Sequence, residues 1–141
     1  MQEYVRYLGI DVGSKRVGLA RTDLLRTVAN PVGTFRRPEI FEEIARLVEH
    51  EKVRKFVVGW PLTPQGEEGE ATEMVERFIK ELSRRFPDIE VEKVDERYTS
   101  KKAVQVMVNA GVPKMKRRER GRIDQAAAAI ILQNYLDLTA Y

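Results

Sequence analysis

The 141-residue sequence predicts a mixed α/β fold: a five-stranded sheet opened by a hairpin and extended by β-α-β units. Two observations carry that expectation. Short runs rich in β-branched and aromatic residues, broken by glycine turns, open the chain. Beyond Pro38, stretches with helical spacing alternate with apolar runs that end in turn residues. The length fits one domain over residues 1–141, with neither repeat nor linker. The first strand is expected to be central, and the second antiparallel to the rest.

Each element has its own signal. Tyr4 to Val12 (YVRYLGIDV) reads as the first strand, and Gly13-Ser14-Lys15 turns the chain into Arg16 to Asp23. Val32 to Arg36 makes a short third strand. From Pro38, Ile40, Ile44, Leu47 and Val48 recur at helical spacing behind an N-terminal proline. KFVVGWP (Lys55 to Pro61) is the continuous run of a buried parallel strand, and Leu62 to Gly69 is a loop. Met74, Val75, Phe78, Ile79 and Leu82 define a second helix, ended by Phe86-Pro87-Asp88, and Ile89 to Glu96 is the last strand. Thr99-Ser100 caps a third helix that Gly111 and Pro113 stop. The final helix covers Ile123 to Leu138.

Composition limits the chemistry. The chain has no Cys and one His, which excludes disulfides, thiolate chemistry and a Cys/His zinc site. A metal ion would be held through oxygen, which favours Mg²⁺ or Mn²⁺. No apolar run reaches the roughly 18 residues that a membrane span needs. The N-terminus, MQEYVRYLGID, lacks the basic-then-apolar order of a signal peptide, so a cytoplasmic protein is expected.

The formal charge of +3, from 25 basic and 22 acidic residues, conceals a division. Residues 39–92 carry 14 acids and 8 bases, whereas residues 97–122 carry 9 bases and one acid, Glu119. The dense part, KMKRRERGR from Lys114 to Arg122, suits a phosphate backbone, whose condensed counterions it would release. A solvated face has the same composition, so position decides between them.

Three carboxylate positions fall near one rim. Asp11 follows Leu8-Gly9-Ile10 at the carboxyl end of the first strand, where open α/β sheets gather ligands. Asp95 and Glu96 close the last strand. Asp124 opens the final helix, whose four alanines (Ala126 to Ala129) should let it lie close to the sheet. Singly, each has a plainer role. Asp11 suits a turn, Asp95 and Glu96 could pair with Arg97 or Lys93, and Asp124 suits an N-cap. Together, beside a basic run, they describe a hard-cation site for phosphoryl transfer. His50, in the helix end EHEK, is not needed.

Four blocks then carry a resemblance. GIDVGSKRVGLA (Gly9 to Ala20), VVGWPLTPQGEEG (Val57 to Gly69), VDERYTS (Val94 to Ser100) and RIDQAAAAIIL (Arg122 to Leu132) resemble, in this order, the YqgF family. Its members have an RNase H-like fold and are described as Holliday junction resolvases or pre-16S rRNA nucleases. The resemblance implies strand order 3-2-1-4-5 and a catalytic metal site of Asp11, Glu96 and Asp124. It also implies that Thr99, Ser100 and the stretch before Asp124 face nucleic acid. In that order the last strand lies two spacings from the first, about 10 Å away. Neighbouring strand residues point to opposite faces, so one of Asp95 and Glu96 reaches the site, and the longer Glu96 is expected to. RNase H-like nucleases often add a fourth carboxylate near the last helix. Here the helix offers only Asp137, more than three turns from Asp124, so a minimal triad is expected.

Three function classes compete. The first is a metal-dependent phosphodiesterase in which Lys15, Arg97, Lys116, Arg117, Arg118, Arg120 and Arg122 hold phosphates. Its substrate is structured RNA (pre-16S rRNA) or branched DNA. A junction resolvase should be a symmetric dimer, and the sequence shows no clear exposed apolar helix face for one. A monomer or weak dimer acting on RNA is therefore favoured. The second, a kinase-like nucleotide phosphatase, needs a second phosphate hairpin and an adenosine motif, and 141 residues contain neither. The third is a nucleic-acid-binding module whose acids are structural.

Overall fold

The computed structural model describes residues 3–96 and 120–139, with side chains of the second stretch from 126 onward. The order is β1 (Arg6–Val12), β2 (Arg16–Thr22), β3 (Ala29–Arg36), α1 (Arg37–His50), β4 (Val53–Trp60), α2 (Glu70–Arg85), β5 (Glu90–Asp95) and α3 (Arg120–Leu138). The helix expected after Thr99-Ser100 lies outside the described residues. One sheet holds all five strands in the order β3-β2-β1-β4-β5. β2 runs antiparallel to β1 and β3, and β4 runs parallel to β1 and β5. This is the expected topology.

Strand alternation builds two apolar layers. Leu8, Ile10 and Val12 of β1, Val17 and Leu19 of β2, and Phe56 and Val58 of β4 face α1 and α2. There they meet Ile40, Ile44, Leu47, Phe78 and Leu82. The intervening Tyr7, Ala20 and Val57 face α3 instead and pack against Ala128, Ala129, Ile131, Leu132 and Tyr135. The alanines do bring α3 close. A methyl group at Gly9 would fall 2.7 Å from the Ala128 carbonyl oxygen and 2.7 Å from Leu132 Cβ. Lys55 closes the far end of this layer. Its ammonium donates to Tyr135 Oη at 2.5 Å and lies over the rings of Tyr7 and Tyr135. Burial alone would lower its pKa, but the Tyr135 bond and the Tyr135, Tyr7 and Glu90 charges raise it.

Two boundaries differ from expectation for physical reasons. β3 starts at Ala29, three residues before Val32. Asn30-Pro31 reads as a breaker, but β3 is an edge strand. Pro31 sits where the β2–β3 register shifts, so its missing N–H interrupts little of the ladder. α3 starts at Arg120 rather than Ile123, extending the helix into the basic run.

The turn before β3 is held by Asp23. Its carboxylate accepts the N–H groups of Thr27 (2.7 Å) and Val28 (3.0 Å) and the Thr27 hydroxyl (2.7 Å). Slight burial, which would raise its pKa, is outweighed by these bonds, and the carboxyl falls to about 2. A depressed carboxylate stabilises above its unfolded pKa, and that contribution disappears as pH falls through the folded value. Asp23→Ala should therefore cost about 0.5–1 kcal/mol at neutral pH, the cost of a lost cap discounted for solvent exposure. Thermal melts should show the difference closing by about pH 2. A difference that persists there would mean the turn does not depend on the charge.

Candidate metal centre and nucleic-acid interface

Alternation on β5 places Val94 under α3 and Val91 against the α1–α2 layer. Glu96 follows the parity of Val94, so it projects to the α3 face. Asp95 takes the other face and is exposed. Asp11 shares the α3 face with Tyr7 and Gly9 of β1. The Glu96 N–H donates to the Trp60 carbonyl at 3.3 Å, which ties the end of β5 to the end of β4.

The two-strand gap between β1 and β5 is crossed by the Glu96 side chain itself. Between them lies Gly59 of β4, with no side chain to obstruct the path. A methyl group there would stand 2.6 Å from Ile131 Cδ1, 3.1 Å from Glu96 Cδ and closer still to Glu96 Oε2. Glu96 therefore occupies the space that any larger residue at 59 would fill. In the sequence Gly59 is one residue near the end of the apolar run Lys55 to Pro61. The available signal was a glycine inside a strand pattern, which often marks close approach of another group.

Glu96 is pushed up from 4.5 to about 8. Burial is the largest cause, followed by the Asp11 charge, a hydrogen bond with Asp11 and the Asp95 charge. Two carboxylates are thus pressed together in partial shelter from water. Such a donor set fits a hard divalent cation, which would neutralise both and accept oxygen ligands.

Asp124 enters through the backbone of α3. Tyr7 meets Tyr135 edge-on at 6.0 Å, and the Gly9 position meets Leu132 and Ala128. Advancing two residues along β1, about 6.6–6.8 Å, thus matches receding about one turn along α3. One more step carries Asp11 toward the N-terminal part of α3, the part that contains position 124. Among the described residues no group of three potential ligands gathers, and the Asp124 side chain is not one of them.

The residues expected to contact phosphate divide likewise. Lys15 is exposed on the β1–β2 turn, on the rim next to Asp11. Arg97, Thr99, Ser100, Lys116, Arg117 and Arg118 lie outside the described residues. Arg120 and Arg122 stand in the first turn of α3, one turn before position 124 or less.

A family model described as "RuvX: Holliday junction resolvase" matches residues 5–138. Relatives from Chlorobium phaeobacteroides and Salinibacter ruber, both provisionally named pre-16S rRNA nuclease, are 44% and 45% identical over 134 residues. Those alignments cover 95% of this chain and 93% and 94% of theirs. A third, from Chlorobium luteolum and named likewise, is 42% identical over 94% of both chains. Among solved structures, T. thermophilus RuvC in complex with Holliday junction substrate matches with a TM-score of 0.61. It covers 96% of both chains at 14% identity, a likeness of fold. No helix among the described residues is long and apolar enough to cross a membrane. The matched span and these identities together show that the chain belongs to the RuvX (YqgF) family and carries its RNase H-like fold.

Proposed function

We propose that this chain is a divalent-cation-dependent nuclease that hydrolyses phosphodiester bonds in structured nucleic acid. Its proposed substrate is the 5′ end of pre-16S rRNA, processed in the cytoplasm. One observation carries the reading: Glu96 reaches across Gly59 to meet Asp11 on the face covered by α3. A purely structural role gives no reason to bury two carboxylates against each other, because each costs free energy unless compensated. Family membership and the names of its relatives supply the substrate class.

Asp11, Glu96 and Asp124 would hold Mg²⁺ or Mn²⁺, which when bound supplies Lewis-acid stabilisation of the phosphoryl oxygens. The chain contributes position. β1 and β5 bring two carboxylates together, Gly59 leaves the path open, and α3 carries position 124 for the third. The basic residues Lys15, Arg97, Lys116, Arg117, Arg118, Arg120 and Arg122, with Thr99 and Ser100, would hold the backbone beside that point. The domain would work as a monomer or weak dimer.

The family description and the junction-bound RuvC of like fold favour a second reading, resolution of branched DNA. One experiment separates the two. Precursor 16S rRNA and a synthetic four-way junction are each incubated with the protein and Mn²⁺ or Mg²⁺, and product ends are mapped. A discrete new 5′ end on the rRNA, abolished by chelation, is expected. Symmetric nicks on the junction with intact rRNA would transfer the function to DNA. No product from either substrate would leave a binding module.

A further inference from the structure

A second cluster of cations lies at the rim of the sheet that holds the carboxylates, and it is separate in sequence from the Lys114 to Arg122 run. In the β1–β2 register Asp11 stands opposite Gly18, and in the β2–β3 register Gly18 stands opposite Thr34. Two residues further along, Arg16 stands directly opposite Arg36. Arg16 shares the parity of Gly18 and Ala20, and Ala20 packs under α3, so the Cα–Cβ bonds of both arginines point to the α3 side, with the Arg36 guanidinium lying near Glu39 at the start of α1. Strand geometry puts the Arg16 Cα about 8 Å from that of Asp11, and the Arg36 Cα about 12 Å away.

Like charges directly opposed across two strands destabilise the pair. Among the described residues little relieves it. Glu39 lies 3.8 Å from Arg36, but both side chains are mostly exposed, 57% and 74%, so that pair contributes little. Arg16 has no acidic partner among the described residues. The corner is nevertheless held firmly. The Arg37 backbone N–H donates to the Lys15 carbonyl at 3.2 Å, and its guanidinium donates to the Gly13 carbonyl at 3.1 Å. This fastens the hairpin to the start of α1. Two guanidinium groups, one without an acidic partner and one only weakly paired, on a backbone fixed beside exposed Lys15, fit a row of phosphates.

We propose that Arg16 and Arg36, with Lys15, form a second phosphate-holding corner that grips the nucleic-acid backbone to one side of the cleavage point. This rests on the nuclease reading and adds to it the direction in which the bound strand leaves the site, over the β2–β3 edge of the sheet.

The test measures binding without cleavage. A labelled DNA duplex is titrated by fluorescence anisotropy at several salt concentrations, with chelator present. The proteins are wild type, Arg16→Gln/Arg36→Gln and the control Lys52→Ala/Lys80→Ala. The control removes the same charge from two exposed lysines, one in the α1–β4 connection and one on α2. The slope of log affinity against log salt should lessen by about 1.8 in the arginine variant, two contacts at about 0.9 each, and stay unchanged in the control. An unaltered slope in the arginine variant, or an equal change in the control, overturns the corner. If wild type cuts precursor rRNA while the slope is unaltered, the corner alone fails. If the slope changes as expected and nothing is cut, the corner stands and the nuclease reading fails.

Discussion

Asp11→Asn is expected to abolish cleavage while making the metal-free protein more stable near pH 8. The first effect should be at least about 10²–10³-fold in rate, the range seen when one preorganised electrostatic group is deleted. The second follows from Glu96, whose pKa rises from 4.5 to about 8. Between those values the folded state keeps a proton that the unfolded state has lost. Stability therefore falls as pH rises through this window, by at most about 1.4 kcal/mol per pH unit. The Asp11 charge is the second cause of the shift, behind burial. Asparagine removes that charge and can donate its amide N–H to the Glu96 carboxylate, so the window narrows. Burial remains, so it does not close. Melting temperatures in chelator at about pH 5 and pH 8 give the test. A fall as steep in the variant as in wild type would show that Asp11 does not set the proton affinity of Glu96. Added Mn²⁺ should raise the wild-type melting temperature at the higher pH and leave the variant nearly unmoved.

Much of this site could be read from the residues before the fold was known, and the part that could not has physical causes. Alternation along VDE shows that Asp95 and Glu96 point apart, and length favours Glu96. Which face is which depends on Val94 lying under α3 and Val91 under the other layer, and that is a tertiary fact. The gap between β1 and β5 likewise has a solution only in three dimensions. A strand position without a side chain lets one long carboxylate span it. The Arg16–Arg36 pair was hidden for another reason. The β2–β3 register shifts at Leu19/Ala20, and Asn30-Pro31 masks where β3 begins. Lys55 reads as the edge of an apolar run. Its partner Tyr135 is 80 residues away, so no local pattern announces that it pins α3.

Gly59→Ala carries the second large expected effect, because it separates what the fold requires from what the chemistry requires. The added methyl would meet two groups at once. One is the Glu96 carboxylate, the mobile end of a side chain. The other is Cδ1 of Ile131, a fully buried residue on α3 at 2.6 Å. Overpacking of this kind costs about 1–3 kcal/mol when neighbours can shift. Glu96 can shift easily, by swinging out of the site toward water, so the fold should survive with a modest loss. The carboxylate pair should not survive. Divalent-cation affinity, measured by calorimetry, should fall by about 10–100-fold, as when a ligand loses the contacts that orient it. Cleavage at limiting metal should fall with it and recover in part as metal is raised. Gly9→Ala provides the contrast. Its methyl would strike the Ala128 carbonyl, which is helix backbone and cannot move aside, so it should lose more stability than Gly59→Ala. Wild-type metal affinity in Gly59→Ala would mean that Glu96 can meet the cation from another rotamer, and that the empty position at 59 serves only the packing of Ile131.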